Sequence, residues 1–357
     1  MIRLFTPEYA TARQRFLAVG AATGGQAEAV EFAARGPAGE PLFLDCLRLG
    51  DQGARRVLLL SSGLHGVEGF FGSAVQCRLL ESGALAPPAG AAVVLLHALN
   101  PFGFAWLRRT NEQNIDCNRN FLLASQQYSG AAPEYAALDA LLNPRCAPRP
   151  DTFLLRAAWK ILRLGMPAFK QAVAAGQYEF PRGLFFGGHG PSETLRVLDE
   201  RLPSWLGPAE RVLHLDYHTG LGPWGDYQLY LEQDLPDEAR ARLEQLGPGK
   251  LRATRRGDLP YVTKGSIQPW LAQRLAGRDY VGLCAEFGTY APLRVLAALR
   301  AENQAFHYAE RGQPTATRAR QRLLEVFCPA DAGWRETVVE RGCALAHRAL
   351  EQVREAG

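Results

Sequence analysis

The segment Gly63-Leu64-His65-Gly66-Val67-Glu68 sets an imidazole and a carboxylate three residues apart. It stands where an apolar run, RRVLLLSSG at 55 to 63, gives way to helix-like spacing, and such strand-to-helix junctions are where open α/β sheets bind ligands. Imidazole nitrogen and carboxylate oxygen both suit zinc, and a catalytic zinc takes three protein ligands and keeps a position for water. His218, at the end of Leu213-His214-Leu215-Asp216-Tyr217-His218, is the natural third ligand. His214, Asp216 and His218 alternate onto one face of that strand, so Asp216 or His214 could orient a ligand ring. Two histidines and one carboxylate also suit iron or cobalt. The H-x-x-E spacing has a second copy, His307 to Glu310, which reads as an ordinary solvated helix face.

Between those ligands, Ile115-Asp116-Cys117-Asn118-Arg119-Asn120-Phe121 interrupts apolar sequence with charged and amide groups. A forked guanidinium beside an amide donor matches a carboxylate better than Lys does. Asn118 and Arg119 therefore imply a carboxylate-bearing substrate, the other reading being an arginine that braces a loop beside Asp116. Glu286 follows the uncharged strand Val281-Gly282-Leu283-Cys284-Ala285. An acid there is not placed for solvation, which makes it the best general-base candidate.

The elements that must hold these groups are legible in outline. Apolar runs at 41 to 50 and 55 to 63, joined by the turn Asp51-Gln52-Gly53, read as a hairpin. Helix-like spacing follows from Val67 to Leu80, then a short buried strand in AAVVLLHALN. Strand, helix, strand implies an α/β layered sheet. Residues 132 to 206 are mostly helical in pattern, and the sheet resumes at 211 to 218, 227 to 232 and 280 to 288. Helices at about 314 to 328 and 334 to 355 close the chain. Trp159, Leu162, Leu164 and Phe169 form an apolar stripe that could dock a partner or another subunit but is expected to cover the sheet. No internal repeat or long Gly/Ser linker divides the 357 residues, so one continuous domain is the simplest expectation.

Composition narrows the function classes. Forty Lys+Arg against thirty-six Asp+Glu leave a formal +4, and the basic residues are scattered, which argues against nucleic acid as the main partner. No apolar run is long enough to span a bilayer and the first residues lack the order of a signal peptide, so a soluble, cytoplasmic protein without a membrane partner is expected. The seven cysteines are odd in number, far apart and without C-x-x-C, which fits reduced thiols. Gly220-Leu221-Gly222-Pro223-Trp224-Gly225 fits G-x-G-x-x-G but runs into a strand-like segment, and reads as a turn. The signatures of P-loop hydrolases, α/β-hydrolases and H-E-x-x-H zinc enzymes are missing.

Taken in chain order, these motifs resemble the zinc carboxypeptidase superfamily of metallopeptidases over about residues 55 to 290. The resemblance implies a mixed, largely parallel central sheet flanked by helices, here with a helical insert at about 125 to 208. It implies one zinc ion per chain on His65, Glu68 and His218, with Glu286 as the catalytic glutamate. Arg108, in the Arg108-Arg109-Thr110 continuation of Asn100-Pro101-Phe102-Gly103-Phe104, falls at the family's carbonyl-polarising arginine. Asn118 and Arg119 fall at the carboxylate-binding positions. Gly265-Ser266-Ile267 resembles the segment lining the specificity pocket, and Tyr261 stands near the family's mobile tyrosine, which adds Ile267 and Tyr261 to the substrate-binding set. The helical insert and Gly183-Leu184-Phe185-Phe186-Gly187-Gly188 resemble the bacterial DUF2817 branch.

The activity so implied is hydrolysis of an amide or peptide bond next to a free carboxylate, by metal-activated water with a glutamate base, on a small peptide. The Asp216-Tyr217-His218-Thr219 element also resembles aspartoacylase and succinylglutamate desuccinylase, so cleavage of N-acyl amino acids is the alternative. The helical C-terminus, where that branch is expected to carry a β-rich domain, favours the carboxypeptidase-like reading. A carboxylate-binding protein without chemistry is a third reading, opposed by the presence of every expected catalytic residue type.

Overall fold

Uncharged runs such as Val57-Leu58-Leu59-Leu60 and Ala92-Val93-Val94-Leu95 can satisfy both faces only inside a sheet covered on each side. The computed structural model, which describes residues 4–253 and 262–355, builds that sheet. Its strands are β1 (Gln26–Arg35), β2 (Pro41–Gly50), β3 (Arg56–Ser62), β4 (Ala91–His97), β5 (Arg211–Trp224), β6 (Tyr227–Leu231), β7 (Leu251–Ala253) and β8 (Asp279–Gly288), in the order β1-β2-β4-β3-β5-β8-β6-β7. The central strands β4, β3, β5 and β8 run parallel, while β2 and β6 are antiparallel to their inner neighbours.

Helices α1 (Tyr9–Ala22), α2 (Gly69–Glu81), α3 (Pro101–Trp106), α4 (Pro133–Leu142), α5 (Phe153–Leu164), α6 (Met166–Ala174), α7 (Glu193–Leu206), α8 (Asp237–Glu244), α9 (Ile267–Arg274), α10 (Pro292–Tyr308), α11 (Pro314–Phe327) and α12 (Ala332–Glu355) surround it. The strand period of two divides the core. Leu58 and Leu60 pack with Phe16, Phe71 and Trp334 under α1, α2 and α12, whereas Val57 and Leu59 pack with Leu198, Trp205 and Trp270 under α7 and α9. A third apolar cluster joins α4, α6, α10 and α11, takes in Phe153 and Ala157 of α5, and reaches the turn after β3 through Val67.

The expected hairpin is not formed. β4 lies between β2 and β3, and β2 pairs instead with β1. An apolar run records that a strand is buried but not which strand lies beside it, and two strands one place apart in a sheet leave the same pattern. The helical run at 153 to 175 is broken at Gly165, whose φ of +80° suits glycine. The Trp159-Leu162-Leu164 stripe does not cover the sheet: all three residues are exposed, and only Phe169 is buried.

Candidate active site

Residues at the ends of three adjacent parallel strands meet in one cleft. β3 ends at Ser62, and Gly63 (φ +72°) turns the chain into a 3₁₀ turn, Gly66–Glu68, just after His65. Gly66 is obligatory at this place, since a Cβ would lie 2.0 Å from the carbonyl carbon of Gly103 in α3. Pairing of β5 with β8 sets His218 directly opposite Glu286.

His65, Glu68 and His218 are all buried, and one ligand-capable atom from each lies within 4.8 Å of the others. His65 Nδ1 is 2.9 Å from Glu68 Oε1, His218 Nδ1 is 3.0 Å from Glu68 Oε2, and the two Nδ1 atoms are 3.2 Å apart. Each ring turns its other nitrogen to a buried aspartate: His218 Nε2 to Asp216 Oδ2 at 2.6 Å and His65 Nε2 to Asp116 Oδ1 at 3.1 Å. The Asp216 carboxylate favours a proton on His218 Nε2, whereas His65 Nε2 also accepts from Arg109 Nη2 at 2.7 Å, which leaves the His65 proton on Nδ1, toward Glu68 Oε1. Two imidazoles and a carboxylate converge in a buried volume, a donor set that suits a divalent metal once the rings give up the protons that face Glu68. The backbone N–H of Thr219 also donates to Glu68 Oε2 at 3.0 Å and holds the carboxylate in place.

The charges follow from this wiring. Burial pushes the Glu68 carboxyl up, yet the His65 and His218 imidazoles outweigh it and hold it below its usual range. Burial likewise opposes ionisation of Asp116 and Asp216, but Arg109 and His65 beside the first, and His218 beside the second, keep both low. Glu286 goes the other way: burial, and then the negative charge of Glu68, raise its carboxyl. Leu221 N–H donates to its Oε1 at 2.8 Å and fixes the group on the cleft wall.

Tandem arginines part company here. Val67 N–H donates to the Arg108 carbonyl at 2.8 Å and Gly66 N–H to the Arg109 carbonyl at 3.3 Å, and the two side chains leave that segment on opposite sides. Arg108 runs into the interior, where Nε meets Glu302 Oε1 at 2.7 Å, Nη2 meets Asn114 Oδ1 at 2.9 Å and the guanidinium lies 3.3 Å above the Phe306 ring. It does not line the cleft with the histidines. Arg109 does, with Nε 2.9 Å from Asp116 Oδ2, Nη1 3.2 Å from Glu68 Oε1 and Nη2 2.7 Å from His65 Nε2.

Asn118 and Arg119, in the 3₁₀ turn Cys117–Arg119, line the same cleft. Asn118 Oδ1 accepts from Ile267 N–H at 3.0 Å, which leaves Nδ2 as the donor of that amide. Arg119 donates from Nε and Nη2 to the Ala174 carbonyl at the end of α6, at 2.9 and 2.7 Å. Phe185, held at a left-handed φ of +56°, sets its ring 5.4 Å from the Arg109 guanidinium and 5.7 Å from that of Arg119.

The Ile267 side chain does not reach this space: it is buried with Phe121 and Trp270 in the core under α9, and only its N–H serves the cleft. Tyr261 lies outside the described residues. The second H-x-x-E copy gives a half-buried His307 at the end of α10 and an exposed Glu310 beyond it, and belongs to no convergent cluster among the described residues.

Asp116 and Arg109 were not singled out by the sequence reading, nor was Glu232. The last lines the cleft and accepts from Thr263 Oγ1 at 2.9 Å, and burial raises its carboxyl. The aspartate two residues before Asn118 was a readable signal for a ligand-orienting group. Nothing in the order Arg108-Arg109 tells which faces the cleft.

The sheet and its flanking helices define a zinc carboxypeptidase-like fold, shared with the first of three similar solved structures. Bovine thrombin-activatable fibrinolysis inhibitor, solved in complex with tick carboxypeptidase inhibitor, is 9% identical with a TM-score of 0.51, over 98% of both chains. A metallo-carboxypeptidase from Burkholderia cenocepacia is 13% identical, with a TM-score of 0.42 over 96% of this chain and 70% of the other. Murein-tripeptide amidase MpaA from Escherichia coli O157 is 18% identical, with a TM-score of 0.37 over 82% and 91%. Residues 5–341 match the family described as a protein of unknown function (DUF2817), and the chain belongs to that family. No curated protein matches the sequence.

Proposed function

We propose that the protein is a metal-dependent hydrolase that cleaves an amide or peptide bond next to a free carboxylate, in the manner of a carboxypeptidase. One observation carries this reading: a buried His65–Glu68–His218 cluster, a carboxyl of raised affinity for protons at Glu286, and the Asn118–Arg119 pair all open on one cleft.

His65, Glu68 and His218 would hold the ion, zinc as the family resemblance implies, with Asp116 and Asp216 fixing the two rings. A bound zinc ion supplies water of lowered pKa and polarises the scissile carbonyl. Glu286 takes the proton of the attacking water and returns it to the leaving amine. Arg109, rather than Arg108, donates to the oxygen as the carbonyl becomes tetrahedral, a bond worth most when charge develops there. Asn118 Nδ2 and the Arg119 guanidinium hold the free carboxylate and so choose which bond meets the water. The apolar part of the cleft, including Phe169, Leu296 and Phe327, suits an apolar side chain or acyl group.

A panel of peptides with free or amidated C-termini and of N-acyl amino acids, assayed by mass spectrometry with and without a chelator, tests the reading. Chelator-sensitive release of single residues from free C-termini is the expected result. Cleavage of N-acyl amino acids alone would make the protein a deacylase, and no chelator-sensitive product from any substrate would count against hydrolysis. Glu286→Gln should keep the metal and lose about 10²- to 10⁴-fold in rate; a near-normal rate would remove Glu286 from the chemistry.

A further inference from the structure

Six of the eight large apolar side chains exposed among the described residues lie in one stretch: Leu154, Leu155, Trp159, Leu162, Leu164 and Met166. Exposure reaches 73% at Leu155 and 84% at Leu162. At 3.6 residues per turn the apolar positions of α5 sweep about two thirds of its circumference, yet the protein buries only the edge of that arc, through Phe153 and Ala157 with Ile161 partly covered. Arg156, Lys160 and Arg163 occupy the remaining flank, and no acid occurs between Asp151 and Glu179. The Arg163 guanidinium lies 3.9 Å above the Trp159 ring, which keeps cation and indole together at the rim of the apolar face. Amphipathic helices with an indole, several leucines and an all-cationic polar side lie flat in the interface of an anionic bilayer.

We propose that α5 docks this protein onto an anionic lipid surface, inserting Leu155, Trp159 and Leu162 among the lipids while Arg156, Lys160 and Arg163 meet the headgroups. No described helix is long and apolar enough to cross a membrane, so the helix lies on the surface and does not span it. Charge separates this occupant from a second copy of the chain. Two copies joined through α5 bring six like cations to one seam, and the segment offers no acid to answer them. The position has a use, because Met166, Phe169 and Lys170, directly after α5, line the cleft. A docked protein would hold the cleft mouth at the lipid surface, within reach of peptides or acyl compounds that reside there. The docking itself does not depend on the proposed chemistry.

Co-sedimentation of the full chain with vesicles of phosphatidylcholine alone, or of phosphatidylcholine mixed with phosphatidylglycerol, tests this. Binding to the mixed vesicles, weakened by salt, is expected, with little to the neutral ones. Arg156→Gln, Lys160→Gln and Arg163→Gln should each lower the affinity about fivefold. Leu155→Gln combined with Leu162→Gln should abolish binding while leaving the melting temperature and the rate on a soluble substrate unchanged. The proposal falls if wild type sediments with neither vesicle, or equally with both, or if the leucine variant still binds. It falls also if that variant merely converts a dimer to a monomer in solution, which would make a second copy the occupant.

Discussion

One wall of the cleft is made of strand ends, and behind its His218 an unbroken run of side-chain hydrogen bonds reaches back through the sheet: His218 to Asp216, Asp216 to Ser61, Ser61 to His214 and His214 to Tyr280. The facing wall, from α6, α10 and α11, presents Phe169, Leu296 and Phe327. Directional bonds fix positions to a fraction of an ångström, whereas apolar packing tolerates substitutions that keep volume. The first wall is built to position reacting groups and the second to accept a shape, so damage to the two should differ in kind.

The tandem arginines give the sharpest way to break that contrast. Arg109→Met should cost the reaction about 10²- to 10³-fold in rate, together with stability, since it strands buried Asp116 and Glu68. Arg108→Met should leave the rate of the folded protein near normal, but it strands buried Glu302 and costs about 3–5 kcal/mol of stability, visible as a lowered denaturant midpoint. If Arg108→Met stays stable and loses only rate, the assignment of the two residues is inverted. A smaller effect is expected one step from the cluster: Asp116→Asn and Asp216→Asn should each weaken metal affinity by about 10- to 100-fold, measured by competition with a chromophoric chelator. Away from both walls, Leu162→Gln should shift stability by no more than about 0.5 kcal/mol, since its side chain is already in solvent.

The same contrast explains what could be read in the sequence. β3, β4 and β8 were visible because strands buried on both faces leave nearly uncharged runs, and β5 because its polar groups alternate with apolar ones at Val212 to His218. β1, an exposed edge strand reading QAEAVEFAAR, left only mixed polarity and went unread. His65, Glu68, His218 and Glu286 were picked out by chemical type at strand ends, and Asn118 and Arg119 as polar groups that interrupt apolar sequence; five of them line one cleft, and Glu68 sits behind it against the two histidines. Which arginine faces them depends on two backbone hydrogen bonds to Gly66 and Val67, and neither leaves a trace in residue type. Ile267 looked like a pocket residue because its backbone serves the cleft while its side chain belongs to the core. The α5 stripe looked like core because amphipathic spacing records an apolar face but not what covers it.

His218 stands 153 residues from His65 and 150 from Glu68, yet all three close on one point. Contacts that distant in sequence form late, after the intervening chain has paid its loop-closure entropy. The closure also demands that β3 and β5 pair in the correct register, because a slip of one residue turns His218 to the opposite face of the sheet. An unfolded or misregistered chain therefore offers an ion at most the local His65–Glu68 pair and holds it weakly. An ion on the full set binds the finished sheet alone and stabilises it by mass action. It acts as a latch on a completed structure and cannot serve as the seed of one.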